Sequence, residues 1–198
     1  MLSYFQKKKL IYLFGLYDHS KNGYLQLEDF TDIADKICEE FGYQEGSRER
    51  EELVFKTVAI FHRLLKDIPH PEQQVIQIEE WILFFDKQVI NSGDEDDLFE
   101  YIDLLIGYLF DLFDKNRDGY ISFDEYKRIF ALYDINTDFI EKAFINMDGN
   151  NDHRLSKNEL THAVEVFLTS DDPLMKENWI FGNWDDLHER WLLRTLSS

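Results

Sequence analysis

The chain of 198 residues has one cysteine, three prolines and three methionines, and no apolar run in it approaches 18 residues. A lone Cys38 cannot form an intrachain disulfide, so a disulfide-stabilised scaffold is excluded and a cytoplasmic location is expected. The short apolar runs predict no membrane-spanning helix. Residue 2 is Leu rather than Gly, so N-myristoylation is not expected.

Basic residues are also scarce, because 21 Lys and Arg stand against 40 Asp and Glu, for a net charge of −19. Such a chain repels phosphate backbones and anionic lipid surfaces, so we expect no nucleic-acid partner and no membrane insertion. Its natural partners are cations. A hydrophobic content of 44% with 16% aromatic residues predicts a folded chain rather than a disordered one.

Motifs for catalysis are missing as well. The sequence has no phosphate-cradling glycine loop, no H-E-x-x-H zinc motif and no nucleophile elbow. Its six histidines show no ligand spacing. We therefore predict that the chain is not an enzyme, with no catalytic residue and no organic cofactor.

Three segments share a twelve-residue pattern. They are DHSKNGYLQLED (18–29), DKNRDGYISFDE (114–125) and DGNNDHRLSKNE (148–159). Each begins with Asp, carries oxygen-bearing side chains at positions 3 and 5, an apolar residue at position 8 and a carboxylate at position 12. Apolar residues with a helical period precede and follow each segment. The repeated unit is predicted to be helix, loop, helix, which makes the fold all-α.

The oxygen pattern of these loops predicts calcium sites. Ca²⁺ takes about six to eight oxygen ligands, and twelve residues wrap it when alternate side chains point inward. Gly119 allows the sharp turn at position 6 of the second segment, which matches the full motif D-x-[DN]-x-[DN]-G-x₅-E. The predicted metal ligands, with backbone carbonyls from Tyr24, Tyr120 and Arg154, are Asp18, Ser20, Asn22, Tyr24, Asp29, Asp114, Asn116, Asp118, Tyr120, Glu125, Asp148, Asn150, Asp152, Arg154 and Glu159.

Two of the loops depart from the full motif. Asp29 at position 12 of the first loop is one methylene shorter than Glu, so this site is expected to be six-coordinate and to accept Mg²⁺ as well as Ca²⁺. His153 replaces the turn glycine of the last loop. Histidine is enriched at positive φ, so this site is expected to bind with affinity lowered by up to roughly tenfold.

A fourth loop is predicted in PHPEQQVIQIEE (69–80), because such units pair through a short strand at position 8. Glu80 is the one carboxylate at a ligand position of this segment, and a single carboxylate cannot offset the dehydration of a divalent ion. We interpret this segment as a degenerate loop that keeps its strand and binds no metal. Ile76 is expected to pair with Leu25, and Ile121 with Leu155.

The predicted organisation is two packed pairs of these units followed by a tail. The N-terminal pair covers residues 1–92, and the C-terminal pair covers residues 93–168. Residues 169–198 are expected to fold back over a groove between the lobes. This tail would end in a helix that places Trp184, Leu187 and Trp191 on one face.

These loops resemble those of the EF-hand superfamily, and more narrowly those of sarcoplasmic calcium-binding proteins, calexcitin and calerythrin. The narrower resemblance rests on the order of active and degenerate loops, on Asp29, and on the run from Asp171 to Gly182. It implies a compact protein in which two EF-hand pairs pack together. It also implies a calcium buffer or a calcium-signalling protein.

Two alternatives to a buffer remain open. A sensor would regulate a protein target, whose identity the sequence does not reveal. A luciferin-binding or photoprotein-like carrier would hold an apolar ligand, with His62, His162, Trp81, Trp179 and Trp184 as candidate contacts. A stiff core of 17 Phe and 10 Tyr favours a closed, monomeric buffer over a flexible, Met-rich sensor.

Overall fold

The computed structural model describes residues 1–66 and 68–184. Within these residues the chain forms eight α-helices and four three-residue strands, and each strand lies between two helices. The helices are α1 (Tyr4–Tyr17), α2 (Leu27–Phe41), α3 (Arg48–Lys66), α4 (Ile78–Phe84), α5 (Glu95–Phe113), α6 (Phe123–Leu132), α7 (Ile140–Met147) and α8 (Lys157–Thr169). The strands are β1 (Tyr24–Gln26), β2 (Val75–Gln77), β3 (Tyr120–Ser122) and β4 (Arg154–Ser156).

The strands join the loops in two antiparallel pairs. In the β1–β2 pair Leu25 lies opposite Ile76, as the sequence predicted. In the β3–β4 pair Ile121 lies opposite Leu155, again as predicted. All four side chains are buried, because position 8 of each loop points into the core. Each strand pair therefore fixes two loops side by side.

The helices begin where local hydrogen bonds favour them. Ser3 precedes α1, and its hydroxyl accepts from the Gln6 amide, while Gln6 Oε1 accepts from the Ser3 amide. Ser122 and Ser156 cap α6 and α8 in the same reciprocal way. A 3₁₀ turn covers Pro71–Gln73, and α4 continues into a π-helical turn over Phe85–Ile90.

The core is built from aromatic rings that join both halves of the chain. Trp81 is fully buried and donates its indole N–H to the carbonyl of Leu10, 2.9 Å away. Its ring packs against Phe14 and Phe85 with centroid distances of 5.9 and 4.7 Å. The contact of Tyr17 with Tyr133, at 6.3 Å, crosses from α1 to the end of α6. Such a core favours a single closed arrangement.

The segment from residue 170 to residue 184 lies across the first helix and the last two helices. Lys9 of α1 donates to Ser170 O and Asn178 Oδ1, at 2.9 and 3.1 Å. Burial lowers the pKa of the Lys9 ammonium to about 8, against the raising effect of Asp171. The Tyr12 hydroxyl donates to Phe181 O, and Tyr126 of α6 donates to Ile180 O at 2.5 Å. These bonds tie α1 and α6 to one segment.

No helix among the described residues is long and apolar enough to cross a membrane. The tail packs back on the helices as far as Trp184, whose ring meets Phe5 edge-on at 4.8 Å. The predicted last helix with Leu187 and Trp191 lies outside the described residues.

Candidate metal centre

The carboxylates at position 1 organise the turn of each candidate loop. In all three loops this carboxylate accepts the backbone amides of positions 5 and 6. Asp18 accepts from Asn22 and Gly23, Asp114 from Asp118 and Gly119, and Asp148 from Asp152 and His153, all at 2.9–3.1 Å. Two hydrogen bonds from backbone amides fold the chain around each carboxylate and place it at the centre of the turn.

The carboxylates at position 12 connect the start and the end of the loop. Glu125 Oε1 accepts from the Lys115 amide at position 2, and Oε2 accepts from the amide and hydroxyl of Ser122 at position 9. Glu159 repeats this arrangement with Gly149 and Ser156. Both glutamates therefore stand at the N-terminus of a helix while facing their own loop.

The first loop shows the effect of the shorter aspartate. Asp29 Oδ1 accepts from Ser20 at position 3 rather than from position 2, and Oδ2 accepts from Gln26 at position 9. The bonds are 2.8 and 3.0 Å, and Asp29 is completely buried. Because the Asp29 side chain is one methylene shorter than Glu, its hydrogen bond across the loop joins position 12 to position 3 instead of position 2.

The side chains at positions 3 and 5 interact with each other in the later loops. Asn116 Nδ2 donates to Asp118 Oδ2 at 3.0 Å, and Asn150 Nδ2 donates to Asp152 Oδ2 at 3.1 Å. Within residues 1–66 and 68–184, no three acidic, histidine or cysteine side chains converge closely enough to hold a metal by themselves. A cation in these loops would therefore use carboxylate, amide and carbonyl oxygens together, the mixed donor set that Ca²⁺ accepts.

The turn at position 6 has positive φ in every loop, with or without glycine. Gly23 and Gly119 have φ of 91° and 82°, and His153 reaches 63° with its side chain 92% exposed. Position 4 is also left-handed, with φ of 57–58° at Lys21, Arg117 and Asn151. The histidine therefore makes the predicted turn and points into solvent, and the strained position 4 is a feature that the motif did not indicate.

The loop from Pro69 to Glu80 has a different hydrogen-bond pattern. Pro69 offers no carboxylate, so the amides of Gln73 and Gln74 donate to the backbone carbonyls of His70 and Pro71, both at 3.2 Å. Gln74 still has φ of 57°, and Glu80 Oε2 still accepts from the Gln77 amide at 2.9 Å. The turn and the helix start remain, whereas the oxygen centre is replaced by a 3₁₀ turn.

The serines at position 9 lie outside the predicted set of ligands and bond to the position-12 carboxylate. Ser122 and Ser156 each donate a hydroxyl at 2.7 Å to the position-12 glutamate. The signal was present as Ser-x-x-Glu, a capping box directly after the strand residue. These serines orient the glutamate through hydrogen bonds. In the first loop, Gln26 at the same position bonds to Asp29 through its backbone N–H.

The histidines and tryptophans considered for a luciferin-type site have different surroundings in the described part of the chain. Trp81 lies in the core beside Phe14, Trp179 packs on Phe139 with centroids 5.1 Å apart, and Trp184 packs on Phe5. His62 and His162 are exposed.

Residues 106–133 match the family model described as EF hand domain. This stretch contains the second half of α5, the loop at 114–125 and α6. The helical architecture with paired loop strands is that of EF-hand calcium-binding proteins.

The chain is similar to calerythrin from Saccharopolyspora erythraea, with 27% identity over 154 residues that cover 78% of this chain and 86% of that protein. A sarcoplasmic calcium-binding protein from amphioxus matches with a TM-score of 0.67 and 16% identity, over 92% of this chain and 99% of that one. The coelenterazine-binding protein of Renilla muelleri matches with a TM-score of 0.70 and 19% identity, over 92% and 99%. The resemblance inferred from the loops is therefore confirmed.

These comparisons also agree with the prediction that the chain is not an enzyme. The matching family model describes an EF-hand domain, and the named relatives are EF-hand calcium-binding proteins.

Proposed function

We propose that the chain binds three Ca²⁺ ions, one in each of the loops 18–29, 114–125 and 148–159, and none in the loop 69–80. The observation that supports this is the repeated frame of hydrogen bonds. In three loops a position-1 aspartate gathers two amides, and a position-12 carboxylate spans the loop. The fourth loop has neither the aspartate nor the spanning bond.

The donors of these loops fit calcium by their chemistry. The two complete loops each offer three carboxylates, an Asn oxygen and a backbone carbonyl, and the first loop offers two carboxylates, Ser20, Asn22 and the Tyr24 carbonyl. Bound calcium would neutralise carboxylates that otherwise repel one another. The position-1 and position-12 groups are already held by amides, so little reordering is needed at those two ligands.

We infer that the protein acts as a cytoplasmic calcium buffer or a calcium-signalling protein whose response is mainly ordering. A sensor that opens exposes a flexible methionine-rich groove. Here Met147 is buried, and the large exposed apolar side chains in the described part of the chain include one methionine, Met1. The lone Cys38 is buried and free, as expected in a reducing compartment. A sensor would instead capture a protein target only when calcium is present.

Calorimetric titration tests the number of sites through matched variants at position 12. We expect the wild-type chain to bind three equivalents of Ca²⁺, and Glu125→Gln and Glu159→Gln to lose one equivalent each at micromolar calcium. Each substitution removes a charged ligand that is also buried or half-buried. Glu80→Gln is the matched control, since Glu80 caps its helix in the same way without a metal centre.

A loss of one equivalent in Glu80→Gln would contradict the proposal that the loop 69–80 binds no metal. Three equivalents in Glu125→Gln would show that the loop 114–125 is not a site. We keep the proposed division into pairs at 1–92 and 93–168, which assigns one site to the first pair and two to the second.

The first site should show the weakest preference for Ca²⁺ over Mg²⁺. Asp29→Glu restores the longer side chain and is expected to raise that preference by about tenfold. The reciprocal change, Glu125→Asp, should lower the preference of the loop 114–125 for Ca²⁺ over Mg²⁺ by a similar factor. Competition titrations of Ca²⁺ in millimolar Mg²⁺ measure both. Strong rejection of Mg²⁺ by the unmodified first loop would contradict the argument from side-chain length.

A further inference from the structure

A cleft separate from the calcium loops opens between three helices. It lies between the C-terminal half of α3, the end of α4 with its π-helical extension, and the N-terminal half of α5. Its volume is about 460 Å³. The apolar part of its lining comes from these elements and from α1, and consists of Tyr17, Ile60, Leu64, Phe84, Val89, Tyr101, Leu104 and Leu105.

The two long helices that flank the cleft are held together at the other end. Lys56 of α3 pairs with Asp111 of α5 at 2.6 Å, and Thr57 Oγ1 lies 3.1 Å from Tyr108 Oη. The cleft begins one turn further along α3, at Ile60, and extends along α5 as far as Leu105. These contacts join α3 to α5, so the walls of the cleft are helices whose positions are fixed by the fold.

The rim of this cleft is acidic. Among the described lining residues, Asp97, Glu100 and Asp103 carry carboxylates and Arg63 carries the one positive charge. Asp103 forms an ion pair with Lys157 at 2.7 Å. Asp97 and Glu100 form no ion pair with any residue that the structure describes. The apolar lining therefore shares the cleft with two carboxylates that have no ion-pair partner among the described residues.

We propose that this cleft binds an amphiphilic amine, that is, a small molecule with an apolar body and a protonated amino group. Sites for small organic ligands have volumes of roughly 300–1,000 Å³, with mostly apolar walls and a few placed polar groups. The apolar body would lie against Leu64, Val89 and Leu105. The ammonium group would lie between Asp97 and Glu100, which favour a cation over a neutral or anionic head group.

The proposal is independent of metal binding, because no residue of the three candidate calcium loops lines the cleft. It also assigns a function to acidic residues of α5 that otherwise only add to the net charge. An anionic amphiphile such as a fatty acid is disfavoured by the same carboxylates and by the overall charge of −19.

Three probes of equal chain length test the charge preference. Decylammonium, 1-decanol and decanoate are titrated below their aggregation limits into the full chain with calcium, and binding is followed by calorimetry. We expect one decylammonium per chain, decanol to bind about two- to fivefold more weakly, and decanoate to bind weakest. Equal affinity for the amine and the alcohol would overturn the charge assignment, and absence of amine binding would overturn the site.

Variants locate the binding to the cleft. Glu100→Gln should weaken decylammonium by about two- to fivefold and leave decanol unchanged. Glu141→Gln, an exposed glutamate near the start of α7, removes the same charge elsewhere and should change neither probe. Leu105→Trp should fill the cleft and weaken both probes at least fivefold, with circular dichroism showing that the helices remain.

An equal loss of amine affinity in Glu100→Gln and Glu141→Gln would mean that the amine responds only to net charge, and would overturn the site. Unchanged binding of both probes in a folded Leu105→Trp would overturn it as well. The calcium stoichiometry of each variant is measured separately, so a failure of the calcium proposal does not resemble a failure of this one.

Discussion

Removal of calcium is expected to lower the thermal midpoint by about 30 °C. A ligand that binds only the native state adds about 4 kcal/mol per site at a free concentration of 1,000 Kd, and three sites together add about 12 kcal/mol. Near this chain length each kcal/mol shifts the midpoint by roughly 2–4 °C. Scans in 1 mM free Ca²⁺ and in excess chelator measure the difference.

The physical reason is the gathering of like charges by the fold. The three candidate loops bring together eight carboxylates, which repel one another without a cation: Asp18, Asp29, Asp114, Asp118, Glu125, Asp148, Asp152 and Glu159. A scan in chelator with 0.15 M NaCl is the control, since salt screens general repulsion without filling the loops. Equal midpoints with calcium and with chelator would contradict specific binding, and so would full recovery by salt.

Gly182→Ala is expected to destabilise the calcium-loaded protein by about 3 kcal/mol, the largest effect we predict for adding a single methyl group. Gly182 has φ of 91°, which strains any other residue by about 1–3 kcal/mol. A Cβ there would overlap Ile135 Cγ2 and would lie 3.3 Å from Phe130 Cε1. Both neighbours belong to the packed interior, so neither has room to move aside.

Gly93→Ala supplies the matched control. Gly93 has φ of 90°, and a Cβ there would meet no atom within 4 Å. It should therefore show only the conformational cost, about 1 kcal/mol. Thermal or urea unfolding of both variants separates the steric part from the conformational part. Equal destabilisation by the two substitutions would show that the close contact at Gly182 is relieved elsewhere.

The position of Gly182 matters because of what the adjoining residues hold. The carbonyls of Ile180 and Phe181 accept the hydroxyls of Tyr126 and Tyr12, which belong to α6 and α1. Displacing Gly182 would disturb both bonds and loosen the connection between the two ends of the chain.

Much of the fold followed from local pattern. The helical period and the alternation within each loop placed the helices and strands, and position 8 correctly predicted the pairs Leu25–Ile76 and Ile121–Leu155. The prediction of these pairs succeeds because the two helices that flank each loop leave few ways to bury the apolar residue at position 8. The metal ligands remain a prediction that titration will test.

Other features could not be predicted, because they depend on residues far apart in the sequence. The buried Lys9 depends on carbonyl and amide oxygens of Ser170 and Asn178, more than 150 positions away. The cleft beside Asp97 and Glu100 is lined by residues of α1, α3, α4 and α5, which are distant from one another in the sequence.

The sequence by itself determined where oxygen donors recur and with what spacing, since spacing within twelve residues is a local property of the chain. Only the tertiary structure decided that Gly182 has no space for a methyl group and that an acidic cleft lies beside α5. Each of these depends on contacts between helices, and side-chain packing in three dimensions leaves no periodic trace in a single sequence.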